Sequence, residues 1–553
     1  MRSTRRASRV AALFAVAALA ATACSGETTT EDDLASDSET TSEATGGDTE
    51  TDDEGDSGEG GGDTDVLVVG TTEKPSTIDP ADVYEKMASD FLFHTTDRLI
   101  ELEPGTGDPV EGVAESYEVS DDALTYTFTL REGVTFQDGS ELTSEDVKWS
   151  LERSLNINHP NGASFLIGNI DTIEAPDPQT VVITLQSPNV TFLSRLAYTV
   201  GSILPSDSDV YAAPDGPLGS GDEPPSQEEA DEYITGDTIV GSGPYQMTEY
   251  APDTGATFEV WDGYWGEAPQ FPTVKVQFFE TTAQMANALQ AGEIDLNVND
   301  FGPAERSSLE GAENISVEQG EGGRIRYMVL DVTQAPFDDP AVRRAMSASI
   351  DRQRIIDEVF EGVGTPIFSM VPPAYPASED FMSDIEAEVE GPIDMELWYP
   401  LNKYGDTEPD VAETIARSMN ESGLFNVTTQ SSDWAAEYSN NLNTGAYGAY
   451  LLGWYPDYID PDDYIEPFYH SEKTFIGFYE SEKMDSLIDE EQAETDEDAR
   501  AEIFAEIQEL AAEDMPIIPL YEESFTSYAA SDLTGVENSV DIAGQARWHL
   551  IGR

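Results

Sequence analysis

Side chains able to do catalytic or metal chemistry are few in this chain and poorly arranged for it. The 553 residues include one cysteine, Cys24, and four histidines, His94, His159, His470 and His549. One thiol closes no intramolecular disulfide and builds no cysteine zinc site. No two histidines stand four apart, the spacing that puts both rings on one helix face, so HExxH zinc chemistry is absent. A GxSxG turn, which would expose a serine nucleophile between strand and helix, is absent too. Carboxylates are the abundant group: 111 Asp and Glu against 26 Lys and Arg, a net charge of −85. Counting alone leaves paired carboxylates for glycoside hydrolysis open, so a secreted hydrolase stands as a second function class. No cofactor or metal is expected.

The acid is not confined to a tail. Residues 27–65 hold 16 acids and no base, residues 1–26 hold four Arg and no acid, and residues 66–553 still carry a net −73. Such a body repels nucleic acid and anionic head groups, so no nucleic-acid partner is expected. With only seven lysines, it reads as a hydrated, salt-adapted surface. The chain is nevertheless 39% hydrophobic, with 22 Phe, 7 Trp and 23 Tyr, enough for real cores. Its length suits roughly three or four domains.

Residues 1–23 read as a signal peptide. Arg2, Arg5, Arg6 and Arg9 precede an apolar run from Val10 to Ala23. As a helix that run spans about 21 Å, short of a ~30 Å hydrocarbon core. Ala21, Thr22 and Ala23 stand directly before Cys24, as in a bacterial lipobox, with Ala where Leu is usual. Lipidation of Cys24 is therefore expected, with the mature protein held at the outer face of the cell membrane. Residues 24–65 are Gly, Ser, Thr and acid almost throughout and read as an extended tether. Asp52, Glu54 and Asp56 alternate there, but the glycine and distal Glu of an EF-hand loop are misplaced.

The elements that must position any site follow from periodicity and punctuation. Val66–Gly70 is a short apolar run, and Leu124–Leu130 alternates strictly; both predict strands. Thr143 and Asp146 form a capping-box pattern before a helix carrying Val147, Leu151 and Leu155 on one face. Residues 206–232 read as an exposed loop. Thr273–Phe279 predicts a strand, and Thr282–Gln290 a helix stopped at Gly292. Asp339-Pro340 and Asp351 each open a further helix. Met395–Tyr399 and Ala446–Leu452 predict strands, and residues 498–513 an amphipathic helix. Strands alternating with helices give an α/β fold class.

Several strings, taken together in order and spacing, resemble the extracytoplasmic solute-binding proteins of peptide-type ABC importers, known as family 5. They include Val113–Tyr117 (VAESY), Leu130–Phe136 (LREGVTF), Asp138–Val147 (DGSELTSEDV) and Gly241–Tyr245 (GSGPY). Further on come Leu289–Asp295 (LQAGEID), Pro336–Ala345 (PFDDPAVRRA), Gly453–Pro461 (GWYPDYIDP) and Pro516–Leu520 (PIIPL). The resemblance implies a two-lobed periplasmic-binding-protein-like fold of type II with an extra domain on the first lobe. Residues 66–99, 206–328 and 523–553 would form that lobe, 100–205 the extra domain and 329–522 the second lobe. Ligand would lie between the lobes, and a monomer would deliver it to ABC permease subunits.

The resemblance also implies residue roles. Asp457, in the GWxxDYxDP stretch, would pair with a peptide's α-ammonium through a charge-assisted hydrogen bond. The backbone of Gly453, Trp454 and Tyr455 would pair with an extended peptide as an added strand. Trp454 is read equally as a pocket wall or as core. On the facing lobe, Tyr84-Glu85-Lys86-Met87 would be the other peptide strip. Glu85 and Lys86 are the charged candidates there, with Lys86 as ligand contact set against a plain solvated lysine. Asp460, before Pro461, reads as a helix cap. Arg343 and Arg344 read as a surface pair neutralising nearby acids, while Arg324 and Arg326 have no assigned role. Other solutes, such as a metal chelate, haem or an oligosaccharide, remain alternatives to a peptide on the same fold.

Overall fold

The computed structural model describes residues 65–553 apart from 105, 220–224, 299–300, 321, 376, 384, 386–388, 473–474 and 540–543. The expected signal peptide, Cys24 and the tether lie outside the described residues.

Three main sheets organise the chain. The first has seven strands, ordered Ile315–Gln319, Thr526–Ala530, Leu296–Asn297, Val66–Thr71, Thr273–Phe278, Gly255–Val260 and Tyr245–Ala251. Its core gathers Leu67, Val69, Phe91, Phe258, Val274 and Trp548. The second has six strands, ordered Thr365–Pro366, Ile517–Glu523, Arg324–Leu330, Ala449–Trp454, Ile393–Leu401 and Phe425–Asp433. The third is a four-stranded antiparallel sheet of Ala114–Val119, Thr125–Leu130, Thr180–Leu185 and Ile170–Asp177. Here the alternation of Thr125–Leu130 does what the sequence requires: Tyr126, Phe128 and Leu130 are buried and the intervening threonines half-buried.

Helix starts follow their local signals. The Thr143 backbone N–H donates to Asp146 Oδ2 at 2.9 Å, closing the capping box of helix Ser144–Ile157. Asp339 Oδ1 accepts from Ala341 N at 2.9 Å and Asp351 Oδ1 from Arg354 N at 3.0 Å, opening helices Pro340–Ser349 and Arg352–Val359. Each such cap is worth about 1 kcal/mol. Gly292, at φ +71, ends helix Thr282–Ala291 in the left-handed conformation that glycine adopts without penalty. Within the expected loop 206–232, Gln227–Asp231 forms a short helix.

Two passages connect the first and second sheets. Strand Ile315–Gln319 lies in the first and Arg324–Leu330 in the second; Ile517–Glu523 lies in the second and Thr526–Ala530 in the first. The two passages run side by side. Gln319 pairs with Thr526 on one side, Arg324 with Glu523 on the other, and Gly320 N–H donates to Phe525 O at 3.0 Å between them. The resemblance implies lobe boundaries at 328–329 and 522–523. The chain instead passes at Gly320, Gly322 and Gly323, and the fully buried strand Arg324–Leu330 belongs wholly to the second sheet. At Gly322 a Cβ would come within 2.6 Å of Glu523 O, so the close approach requires glycine.

Arg343 departs from its expected surface role. It is buried, and it donates to Phe337 O at 2.7 Å and to Met515 O at 3.1 Å, with Asp514 O as a further acceptor. The Asp514 and Met515 carbonyls close helix Glu497–Asp514, whose last turn lacks partners within the helix. A cation there also faces the negative helix end. Arg344 Nη1 donates to Glu513 O at 3.1 Å from the exposed side.

Candidate functional site

The site strand, Ala449–Trp454, starts and ends later than the expected 446–452, so Gly453 and Trp454 fall within it. Its ladder with Arg324–Leu330 pairs Gly453 with Arg326 and Trp454 with Ile325. The chain then leaves the strand at Tyr455 and bends over Asp457–Asp460 before a single helical turn, Pro461–Tyr464. Asp460 caps that turn, accepting from Asp462 N at 2.9 Å, and holds Arg500 at 2.7 Å.

Asp457 is 7% exposed. Its Oδ2 accepts a 2.8 Å hydrogen bond from the hydroxyl of Tyr84, which precedes helix Lys86–Thr95 on the first sheet's side. Its backbone N–H donates to Asp463 Oδ2 at 3.0 Å, and the Trp454 indole donates to the same oxygen at 3.0 Å. Burial pushes the Asp457 carboxyl up to about 7, against the opposing pull of the Tyr84 hydrogen bond and the Arg195 charge. Asp463 is held well above the ordinary carboxylate range by burial and by Asp457 beside it.

Arg195, from the third sheet's domain, anchors the other flank. Its Nη2 reaches Asp462 and Glu466 at 2.7 Å each and the Tyr458 hydroxyl at 2.9 Å. Despite burial, that guanidinium pulls Asp462 down to about 2. A cavity of about 400 Å³ opens between these elements, with Asp457, Asp463, Glu466 and Arg195 on its polar side. Phe165 and Phe475 also line it, their rings edge to face at 6.0 Å. Both rings are more than two-fifths exposed, as expected of a mouth rather than a core.

The other expected site residues divide. Trp454 is half-buried and packs against Phe468 and Phe475, so it is core on one side and faces the cavity's Phe475 on the other. Tyr455 is 41% exposed, with the Arg324 guanidinium 5.5 Å from its ring centre. Both Gly453 peptide groups are engaged by the Tyr404 hydroxyl, which accepts from Gly453 N–H at 3.0 Å and donates to Gly453 O at 3.3 Å. Lys86 is no solvated lysine: its Nζ pairs with buried Asp90 at 3.0 Å. Glu85 accepts from Ser76 N at 2.9 Å and from Ser76 Oγ at 2.8 Å. Both charges of the strip are thus tied within their own lobe, and it is Tyr84 that reaches Asp457. Tyr84, Arg195, Asp463 and Tyr404 are the residues sequence reasoning passed over. Tyr84 alone carried a signal, standing in the strip already singled out. Among the described residues no His, Cys, Asp and Glu cluster could hold a metal ion, and no helix is long and apolar enough to cross a membrane.

Two α/β sheets joined by paired passages, with a third sheet packed alongside and a polar cavity among elements remote in sequence, define a two-lobed α/β binding fold of type II. The chain belongs to the bacterial extracellular solute-binding proteins, family 5, whose middle-region profile matches residues 108–475. It is 27% identical over 490 residues to di/tripeptide-binding protein 3 of Pseudomonas aeruginosa, covering 82% of this chain and 89% of that protein. It is 28% identical over 463 residues to heme-binding protein A of Haemophilus influenzae, covering 76% of this chain and 80% of that one. Among solved structures, the periplasmic binding protein DppA of Helicobacter pylori in complex with the peptide STSA superposes with a TM-score of 0.73 at 23% identity, covering 88% and 97% of the two chains.

Proposed function

We propose that this chain is the substrate-binding lipoprotein of an ABC import system, capturing dipeptides or oligopeptides in the interlobe cleft and delivering them to a membrane permease. The carrying observation is Asp457: a buried carboxylate on a cavity wall, hydrogen-bonded across the cleft by Tyr84. A ligand α-ammonium at Asp457 supplies the opposite charge that a buried carboxylate demands. Tyr455 then offers its peptide groups to the ligand backbone, and Trp454 with Phe475 walls the first side-chain pocket. Tyr84 takes the first-lobe contact, while Glu85 and Lys86 fix the strip that carries it. The names of peptide-binding relatives support the same reading. Delivery requires that the permease distinguish closed, liganded protein from open, empty protein.

In this reading Cys24 carries the lipid and the protein binds without turnover. Asp457→Ala should weaken binding of a free-amine dipeptide roughly 30-fold or more, the cost of losing a buried charge pair. Calorimetry with that peptide and its N-acetyl derivative tests this. Equal affinity of wild type and variant overturns the ammonium site. Recovery of cleaved peptide overturns the binding-only reading. Partition of wild type and Cys24→Ala between aqueous and detergent phases tests the anchor, and identical partition overturns it.

A further inference from the structure

Strand Ile393–Leu401 meets the site strand only at the Trp398–Tyr450 pair and then diverges. On the opposite side, Asp331 N–H donates to Gly448 O at 2.9 Å, and in an antiparallel ladder such bonded pairs recur at every second residue. Tyr450, Leu452 and Trp454 therefore turn their peptide groups toward Arg324–Leu330. Leu451 and Gly453 turn theirs outward, along an edge that no strand among the described residues covers beyond Tyr450. Such an edge is a template for an incoming extended chain.

Two tyrosines stand on it instead. Tyr438 donates to Leu451 O at 2.9 Å, and Tyr404 binds both peptide groups of Gly453. Tyr404 is held from behind. The Arg326 guanidinium lies 3.5 Å from its ring centre and is ion-paired with buried Glu408. A Cβ at position 453 would come within 2.6 Å of Arg326 Nη1 and 3.0 Å of the Tyr404 ring, so glycine is what lets the three pack. Tyr404 also lines a second cavity of about 540 Å³, whose wall carries four acids, Glu280, Glu305, Asp406 and Glu523, against the single cation Arg306.

We propose that Tyr404 sets the length of the ligand: it occupies the peptide groups of Gly453 that a third ligand residue would pair with, so the site favours two-residue peptides over longer ones. This rests on the peptide reading above. With the ammonium at Asp457, the first ligand residue stands opposite Tyr455, the next outward position. An antiparallel neighbour meets outward positions at every second residue, so the third ligand residue stands opposite Gly453. To pair there it must break both Tyr404 bonds. Any chain continuing past Tyr404 brings its terminal carboxylate toward the second cavity, where four acids against one arginine leave an excess of like charge.

The test is native mass spectrometry and calorimetry of the full chain with randomised pools of di-, tri- and tetrapeptides. Wild type should bind the dipeptide pool at least 10-fold more tightly than the longer pools. Tyr404→Ala should reduce that preference to under about 3-fold by admitting the third residue. Tyr404→Phe keeps the ring over Arg326 and loses only the hydroxyl, so it should give an intermediate ratio with an unchanged melting temperature. Equal binding of all three lengths by wild type overturns the length rule while leaving the peptide reading in place. So does an unchanged preference in both variants. Failure of every pool to bind overturns the peptide reading, and the length rule with it.

Discussion

Tyr84 and Asp457 lie 373 positions apart in the chain, yet the phenol of one donates a 2.8 Å hydrogen bond to the carboxylate of the other. That bond joins the first lobe to the second at the point where a ligand cation would sit. Tyr84 is well placed to hold it, because its ring packs edge to face against Phe165 at 5.6 Å and Tyr198 at 6.3 Å. Replacing the hydroxyl alone therefore separates closure from packing. Tyr84→Phe should lose roughly 10-fold in ligand affinity, the value of a hydrogen bond to a charged group, with little change in melting temperature. Calorimetry and thermal denaturation check this together. Wild-type affinity in the variant would remove Tyr84 from the site.

Acidity should govern ligand capture. Burial raises Asp457 to about 7, with Tyr84, Asp463 and Arg195 as the groups facing it. A ligand ammonium needs the carboxylate ionised and its own amine protonated, so affinity should rise up to about tenfold per pH unit toward pH 7 and fall again above about pH 8, where a peptide α-amine loses its proton. Titration at pH 5.5, 6.5, 7.5 and 8.5 reads this directly; a flat profile contradicts it.

The same shift has a stability consequence of opposite sign. The empty folded protein keeps the Asp457 proton to about pH 7, whereas the unfolded chain loses it near 3.8. The folded state thus binds more protons between those values. Its contribution is complete below the unfolded pKa and is lost as pH rises through 7, a loss on the order of a few kcal/mol. Asp457→Asn, neutral throughout, should gain on wild type as pH rises from 4 to 8. Parallel denaturation curves at both pH values would refute the shift.

Arg195 is the stability counterpart of that site. At the wall of the cavity it neutralises buried Asp462 and Glu466. Arg195→Met should cost about 3–5 kcal/mol, because two carboxylates are left buried without their cation. Chemical denaturation measures this. A cost below about 1 kcal/mol would mean that the cluster is solvated.

Net charge makes a prediction for the whole body. A net −73 over residues 66–553 stores repulsion that salt screens, since the Debye length falls from about 10 Å at 0.1 M to about 3 Å at 1 M. The melting temperature should climb steadily from low to molar sodium chloride. Indifference to salt would argue against a salt-adapted surface.

Where signals are local, the sequence is legible. Thr143, Asp339 and Asp351 announced their helices because a cap bonds within three residues of itself. Arg343 was misread for the opposite reason: its acceptors at 514 and 515 arrive only through tertiary packing. The lobe boundary hides at the start of Arg324–Leu330 (RIRYMVL), a strand whose composition does not tell one sheet from the other. At the site, attention to charge favoured Glu85 and Lys86 over Tyr84, although both charges find partners nearby in the chain. Tyr404 left no trace at all, since it binds backbone atoms 49 positions away, and backbone atoms carry no sequence signature.

The paired passages at 319–324 and 523–526 bear on mechanics. Ladder bonds hold the two runs together at both ends and between. Such a ribbon is stiff to shear within its plane and compliant to bending out of it, much as a leaf spring is. Any opening and closing of the lobes would then be confined largely to one axis. A one-axis motion has few intermediate shapes, so little configurational freedom is surrendered on closure. In the permease-delivery reading, the outline offered to the membrane partner would then take one of two forms rather than a continuum.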